Sequence, residues 1–361
     1  MITSKKIFQA GVPSLSGWFR RLPVIVTLFL VLAAAANALG LARGSLPAWL
    51  SRLIDRLSSF SAVFLGIFIE AAPFLLLGTL ASGIVEVFID RDDLARWIPR
   101  QPLAGALAGS LMGMFFPVCE CGVVPFARRL IRKGVPVPVG VAALLAAPVL
   151  NPIVIASTLS AFGPGLVFWG RLGLTLVTAT AVGLVFSLAP QPRDLLRPEV
   201  LPAAPDLAGL ALPASVRPRP PLLERLRKAL LVAADEFFEM GRYLIIGALL
   251  AALMQTVVRQ STLLALGQGP LLSVLVMIVL AVLLSICSTV DAFIALAFVG
   301  SFTGGSILAF LTFGPMVDIK STLMFLHVFK PRTVAYLILL PLLIIMIFTV
   351  FLNYFAQGWA F

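Results

Sequence analysis

Charged residues are scarce in this chain. Asp, Glu, Lys and Arg make up 12% of its 361 residues, apolar residues make up 60%, and the mean hydropathy is +1.06. A composition this apolar excludes an ordinary soluble domain and is typical of a polytopic membrane protein. Most of the few charges are basic, with a net charge of +11, and they lie mainly in short stretches between apolar runs. That placement is typical of cytoplasmic loops facing anionic lipid, and it argues against nucleic-acid binding.

Cysteine and histidine are rarer still, with three residues and one residue respectively. These counts exclude a disulfide framework and a zinc cluster of the usual spacing. No nucleotide-binding motif and no flavin or quinone signature is visible, so we expect no cofactor and no enzymatic activity. All three cysteines fall in two stretches where apolar helices are interrupted. A free cysteine is often just a small buried apolar residue, but that does not explain why none lies elsewhere.

The two interruptions have the same layout. The first runs from Pro117-Val-Cys-Glu-Cys-Gly-Val-Val-Pro125 to Ala147-Pro-Val-Leu-Asn-Pro152, and the second from Ser285-Ile-Cys-Ser-Thr-Val-Asp291 to Gly314-Pro-Met-Val-Asp-Ile319. Broken helices occur at membrane depth where the freed backbone groups are buried in protein or line a wet cavity. Ionisable residues at such a place indicate a functional site.

The apolar pattern predicts an all-α membrane protein with two repeats and one extra N-terminal span. Its predicted segments are a basic stretch with a first span near 22–41 (residues 1–56), a first permease repeat (57–189), a Pro-rich cytoplasmic linker (190–228) and a second repeat (229–361). The linker lacks apolar periodicity, so we expect it to be largely disordered or polyproline-like and to serve only as a tether.

Within the first repeat, glycine and proline divide the apolar residues into four parts. They are a span at 57–89 interrupted by Glu70 and Pro73, a re-entrant hairpin at 103–133, a span at 135–161 broken at Pro148–Pro152, and a span at 165–189. The first of these is longer than a bilayer core of about 30 Å requires at about 1.5 Å per residue, so we expect it to be kinked or tilted.

Polar landmarks repeat in a nearly constant register. Glu70 and Glu239 each precede a glycine by eight residues, Cys119 pairs with Cys287, and Asn151 pairs with Asp318. The offsets are 169, 168 and 167 residues. A common register for such residues indicates an internal duplication.

Charge bias predicts that the two repeats are inverted. The tip at 128–133 holds four Lys or Arg residues and its counterpart at 296–304 holds none, whereas the loop at 162–164 holds none and its counterpart at 329–332 holds two. The positive-inside rule then places matching loops on opposite sides of the membrane. Inverted repeats with discontinuous helices are a recurrent plan of secondary transporters.

Three thiols are the first candidates for solute binding. Cys119 and Cys121 flank Glu120 at the first break, and Cys287 lies at the second; Glu120 is a candidate solute-binding residue together with the thiols. Thiolates are soft ligands that select soft acceptors such as Cu(I) or trivalent arsenic. The alternative is that these small residues only line tight helix breaks.

Other ionisable residues lie inside the apolar segments. Glu70 and Glu239 are candidate proton carriers, because burial in hydrocarbon favours the neutral carboxyl group; the alternative is a pair of interhelical hydrogen-bonding groups. Arg242 is a candidate partner of Glu239 on the same helix face.

The second break adds further polar candidates. Asn151, Asp291 and Asp318 are predicted to contact a solute, and Lys320 to take part in coupling, with Asp318 and Lys320 able to neutralise each other. His327, the only histidine, is expected to be interfacial rather than catalytic.

Four stretches resemble a known family. Pro117–Pro125, Asn151-Pro152, Cys287–Phe293 and Phe313–Lys320 are similar to the signature stretches of the predicted permease family that includes YraQ and ArsP. The resemblance covers about residues 57–355 and implies an inner-membrane permease. Its ArsP branch implies efflux of trivalent organoarsenicals such as methylarsenite. Glu120 departs from the family pattern, which has a small residue, often Ser, between the two cysteines.

Together these features predict a multi-pass inner-membrane secondary transporter that exports a soft thiophilic solute, driven by ions, most simply protons, or by a downhill solute gradient. Its expected partners are membrane lipids and a small-molecule or metalloid solute. Whether the chain forms a homo-oligomer is left open at this point. Three alternatives also stay open: a permease for another solute with structural cysteines, a membrane thiol oxidoreductase using Cys119 and Cys121, and a channel-like partner subunit. A Cys-x-Cys disulfide closes a very small, strained ring.

Overall fold

Helices account for nearly all of the described chain. The computed structural model describes residues 48–89, 99, 101–115, 119–188, 195–197, 221–258 and 269–355. The predicted first span near 22–41 and the charged loop at 90–98 lie outside these residues. Residues up to Leu65 form one compact unit and residues from Gly66 onward form the other. The described part of the first unit is helical, and its Ser58 and Ser59 hydroxyls donate to the Asp55 carbonyl.

Twelve α-helices lie in the described residues, six before the linker and six after it. In chain order they are α1 Ala48–Phe88, α2 Pro102–Met112, α3 Glu120–Arg132, α4 Val137–Ala146, α5 Pro152–Phe162, α6 Leu166–Ser187, α7 Leu222–Val257, α8 Pro270–Leu284, α9 Asp291–Leu296, α10 Gly304–Met316, α11 Ile319–Val328 and α12 Pro331–Phe355. A 3-10 turn, Gly113–Phe115, extends α2. The described chain contains no strand beyond two isolated bridges. The all-α prediction is confirmed.

Five helical stretches are long and apolar enough to cross a membrane. They are Ser51–Phe88, Leu166–Ser187, Leu222–Val257, Gly304–Val328 and Pro331–Phe355. Proline opens four of the twelve helices, at Pro102, Pro152, Pro270 and Pro331. Its missing N–H is harmless in the first turn, where no intrahelical acceptor is available. The starts of these four helices are therefore encoded by the local sequence.

Both interrupted stretches break where the sequence predicts. The first leaves α4 and α5 on either side of residues 147–151, and the second leaves α10 and α11 on either side of residues 317–318. Pro73, by contrast, does not end α1. The helix is 41 residues long and continues past Pro73 to Phe88. Helix α1 starts at Ala48, nine residues before the predicted repeat boundary. Helix α7 starts at Leu222, so the linker ends earlier than the predicted residue 228.

Part of the predicted linker belongs to the folded core. Leu196 is 1% exposed and pairs with Phe329 in an isolated bridge. The Leu195 carbonyl accepts hydrogen bonds from the Lys330 N–H and the Thr333 hydroxyl. The prediction of a segment that only tethers is therefore wrong for residues 195–197, whose backbone hydrogen bonds fasten them to the start of α12. The rest of the linker up to residue 220 lies outside the described residues.

Matching helices of the two halves make matching contacts. Helices α2, α4 and α6 pack on one another, as do α8, α10 and α12. Across the halves, α3 packs against α11 and α9 packs against α5. Each short helix that follows a cysteine break is therefore held by the other half. These contacts between the halves bring the two cysteine breaks close to each other.

Candidate functional site

The first break places three functional side chains in the core. Cys119 is the N-cap residue of α3, and Glu120 and Cys121 occupy its first turn. All three are buried, with 1%, 3% and 0% exposure. Gly78 of α1 allows this close packing, because a Cβ atom there would collide with the backbone of Gly122. The glycine lets α1 lie directly against the start of α3.

The second break is made of irregular backbone. Helix α8 ends at Leu284, and Ser285 adopts a positive φ of 44°. A non-glycine residue in the left-handed region is strained, and such residues cluster at functional sites. Cys287 follows two residues later, is 3% exposed, and accepts a hydrogen bond from the Thr289 hydroxyl at 3.4 Å. The turn thus points a thiol into the core.

The two breaks meet at their thiols. One ligand atom each from Cys119, Glu120 and Cys287 lies within 4.8 Å of the other two. Cys121 is also buried and lies near Cys119, but outside this group. The half-buried Glu70 of α1 lies near Cys287. Residues separated by more than 160 positions therefore form one compact cluster.

Lys320 joins the two halves at this centre. Its ammonium group donates to the Ser285 carbonyl at 2.7 Å and lies 3.3 Å from Asp318 Oδ2 and 3.5 Å from Glu120 Oε1. The side chain is 2% exposed. The sequence suggested the ion pair with Asp318, two residues away. It gave no sign of the pair with Glu120, because that contact depends on the packing of α3 against α11.

Asn151 and Asp318, which match in the predicted register of the sequence, both cap the helix that follows them. Asn151 Oδ1 accepts from the Ile153 N–H at 2.9 Å and caps α5. Asp318 Oδ1 accepts from the Ser321 N–H at 2.6 Å and caps α11, and the Ser321 hydroxyl completes a capping box. Short polar side chains at this position satisfy N–H groups that have no intrahelical acceptor. The Asn151 amide nitrogen has no hydrogen-bond partner among the described residues, whereas the second carboxylate oxygen of Asp318 faces Lys320.

Asp291 is held by an arginine that the sequence analysis missed. Arg171 of α6 donates to both carboxylate oxygens, at 3.1 and 2.6 Å, and also to the Thr158 hydroxyl at 2.8 Å. The side chains of Arg171 and Asp291 are 1% and 4% exposed. This bidentate pair fastens α9 to α5 and α6 and uses both oxygens of a predicted solute-binding residue. Arg171 could have been found as a lone charge in an apolar helix.

Glu239 is paired across helices. Its carboxylate lies 3.0 Å from Arg128 of α3 and 2.7 Å from His327 of α11. The sequence suggested Arg242 as its partner, whereas the ion pair that the structure shows is with Arg128. The His327 ring also packs on Tyr243, with ring centroids 4.6 Å apart. His327 thus connects three helices and does not contact the thiols.

A second ion-pair group lies on the same part of α3. Arg129 lies 3.4 Å from Glu86 of α1 and 3.5 Å from Glu236 of α7. Glu236, which is 4% exposed, also accepts a hydrogen bond from the Ser82 hydroxyl at 2.5 Å. Lys133 donates to the last carbonyls of α1, those of residues 85, 86 and 89. The basic tip predicted to be a cytoplasmic loop is therefore paired with one buried acid, Glu236, and one half-buried acid, Glu86.

Two cavities lie away from the thiol cluster. The larger, about 840 Å³, is lined by the α5–α6 turn, the start of α8, residues 299–305 and the end of α12. The smaller, about 200 Å³, is lined by the starts of α2 and α4, the end of α6 and Leu195. None of the described cysteines lines either cavity. The three described thiols are themselves buried.

Comparison with known proteins gives one family. The model of the predicted permease family ArsP_1 matches residues 56–354. The chain is 46% identical over 280 residues to the UPF0718 protein YcgR of Bacillus subtilis (strain 168), covering 77% of this chain and 91% of the relative.

A second relative comes from Streptococcus mutans serotype c (strain ATCC 700610 / UA159) and is named a putative two-component membrane permease complex subunit. It is 36% identical over 289 residues, covering 80% of this chain and 92% of the relative. No solved structure matches the chain.

Proposed function

Because the chain belongs to the predicted permease family ArsP_1 and is a multi-pass integral membrane protein, we propose that its two helix breaks form the solute site of a secondary transporter in the inner membrane. The observation that carries the proposal is the meeting of two buried thiols, Cys119 and Cys287, from two distant breaks, together with the Glu120 carboxylate. Thiols brought together on irregular backbone can bind one soft centre. A soft thiophilic solute, such as a trivalent organoarsenical, fits this arrangement, and the direction we propose is efflux.

Alternating access requires two halves that can move against each other, and we propose that they are inverted repeats. Arg225 in the first turn of α7 donates to the Val87 carbonyl in the last turn of α1. Matching helices therefore have opposite ends side by side, as inversion requires. The start of α12 likewise bonds to Leu195, which follows its counterpart α6. These contacts support the orientation that the charge bias predicts.

Glu70 is the proposed coupling residue. The sequence contains no nucleotide-binding motif, so an ion gradient is the simplest driving force. Glu70 is half-buried beside Cys287 and Lys320, whereas Glu239 is engaged by Arg128 and His327. A carboxyl group that borders the solute site can bind a proton on one side and release it on the other.

Replacement of single thiols tests the site. Ser keeps the hydrogen-bonding capacity of Cys but removes the soft ligand. In proteoliposomes loaded with a trivalent thiophile such as phenylarsine oxide, Cys119→Ser and Cys287→Ser should each abolish transport. Cys121→Ser should have a milder effect, because Cys121 lies outside the group of ligand atoms shared by Cys119, Glu120 and Cys287.

The control is the amount of folded protein in the membrane, measured for each variant by size-exclusion chromatography. A triple serine variant that transports like the wild type would remove the thiols from the mechanism. A permease for another solute, with structural cysteines, would then be the better account.

The name of the Streptococcus mutans relative favours a second candidate, in which the chain works as one subunit of a two-component permease. Reconstitution of the purified chain alone separates the two possibilities. Transport by the single chain supports a self-sufficient permease, whereas inactive but folded protein that regains activity with a second membrane subunit supports the complex.

A further inference from the structure

The cluster where the two cysteine breaks meet contains more acidic than basic groups. The ammonium group of Lys320 contacts two carboxylates, those of Glu120 and Asp318, in the described part of the chain. Unpaired charges are costly to bury, so buried acids normally have a proton or a cation as counterpart. One lysine charge cannot balance two carboxylate charges. The excess of acidic groups therefore favours a positively charged solute.

Glu120 has a free ligand atom. Its Oε1 atom faces Lys320, whereas its Oε2 atom is buried and has no hydrogen-bond partner among the described residues. This carboxylate lies in the group whose ligand atoms are all within 4.8 Å of one another, together with the sulfur atoms of Cys119 and Cys287. Ligand atoms around one tetrahedral zinc ion lie about 3.5–3.8 Å apart, so a small contraction would complete the set.

The charged residues of the cluster have neutral counterparts. In the predicted register of the two repeats, Ser288 stands at the position of Glu120, and Ile153 stands at the position of Lys320. Asn151 stands at the position of Asp318 and also caps the helix that follows it. A helix break therefore forms at these positions without a charged side chain. Capping by Asp318 uses one carboxylate oxygen, which leaves Asp318 Oδ2, Glu120 and Lys320 as the charged groups of the binding site.

We propose that the solute is a thiophilic divalent metal cation, of the class of Zn²⁺ or Cd²⁺, rather than an uncharged organoarsenical; this rests on the proposed function. Two thiolates and one carboxylate form a mixed S/O ligand set that suits such borderline-to-soft ions. Binding releases one proton from each thiol that becomes a ligand. The cation is carried without a change of oxidation state.

Lys320 competes with the cation for the Glu120 carboxylate. In the unloaded state its ammonium group neutralises part of the acidic centre. When the cation takes Glu120, Lys320 keeps Asp318 and the Ser285 carbonyl as partners. Removing the lysine charge should therefore strengthen cation binding, because like charges repel at close distance in a buried site.

Cation binding to the purified, detergent-solubilised chain tests the proposal directly. We expect one Cd²⁺ per chain, detected by equilibrium dialysis and by the thiolate-to-cadmium charge-transfer absorption. Glu120→Gln should weaken Cd²⁺ binding by at least about tenfold and leave phenylarsine oxide binding unchanged. Lys320→Gln should strengthen Cd²⁺ binding by at least about tenfold. Damage to the fold cannot produce such a gain.

Glu86→Gln is the matched control, since it makes the same chemical change in a half-buried acid outside the centre. It should bind both probes like the wild type. Absence of stoichiometric Cd²⁺ binding, or wild-type Cd²⁺ affinity in Glu120→Gln, would overturn the proposal. If Cd²⁺ binds as expected but neither probe crosses proteoliposome membranes, the transport proposal fails and the cation site stands. If phenylarsine oxide is transported and Cd²⁺ does not bind, only the cation proposal fails.

Discussion

The ion pair between Arg171 and Asp291 allows a quantitative prediction about stability. It joins α9, which follows the second cysteine break, to α6 and through Thr158 to α5. Asp291→Asn keeps the size of the side chain but removes its charge. The Arg171 guanidinium, 1% exposed, would then be buried without a counter-ion. We expect the second break to lose its anchor.

The burial of both partners sets the size of the effect. An exposed ion pair contributes about 0–1 kcal/mol, because water screens it. Removing one partner of a buried pair costs about 3–5 kcal/mol, because the remaining charge stays desolvated. Since 1 kcal/mol shifts the Tm of a domain of 150–250 residues by about 2–4 °C, we expect a fall on the order of 10 °C. Thr158→Val removes one neutral partner and should cost only about 1 kcal/mol.

The assay is stepwise heating of the purified protein in detergent, with the folded fraction measured by size-exclusion chromatography. A double variant, Arg171→Met with Asp291→Leu, should recover most of the loss, because replacing a whole buried pair by apolar residues is often neutral. That recovery distinguishes an unpaired charge from general damage to the packing.

An Asp291→Asn variant with the wild-type Tm would refute this reasoning. If such a stable variant had also lost transport, Asp291 would return to the solute-binding candidates. A double variant less stable than Asp291→Asn would show that packing, and not the unpaired charge, dominates the cost.

Three further predictions concern coupling, topology and packing. Glu70→Gln should reduce proteoliposome transport more than Glu239→Gln, because only Glu70 borders the thiols; equal losses at equal expression would contradict this role. In a background without native cysteines, Arg132→Cys and Ser301→Cys should react with an impermeant thiol reagent from opposite sides of the membrane, and labelling from one side would exclude inverted repeats. Gly78→Ala should lower the Tm, because its Cβ atom would meet the backbone of α3; an unchanged Tm would mean that α1 shifts without cost.

Some features of the fold depend on neighbouring residues only. Proline at a helix start, and Asn151 or Asp318 capping the next helix, act within three residues. These breaks could therefore be predicted from sequence. The extents of α1 and α7 could not, because a helix boundary in a long apolar run has no strong local signal. Proline within α1 also failed to end it, since the surrounding apolar turns remain helical.

The linker shows how packing overrides composition. Its proline and alanine content predicts an unstructured tether, yet Leu196 is fully buried. One leucine, two backbone–backbone hydrogen bonds and one hydrogen bond from the Thr333 hydroxyl hold residues 195–197 against the end of α11 and the start of α12. No periodicity marks so short a contact. Only the position of the neighbouring helix decides it.

The sequence by itself determined that this chain is a helical membrane protein, where its helices break, and which residue types stand at the breaks. These properties follow from hydropathy and from hydrogen bonds within a turn. The tertiary structure alone decided the partners: Glu120 with Lys320, Asp291 with Arg171, and Glu239 with Arg128. A buried charge or thiol in a sequence indicates that a partner must exist. Which residue fills that role depends on how helices from the two halves pack, and no local interaction carries that information.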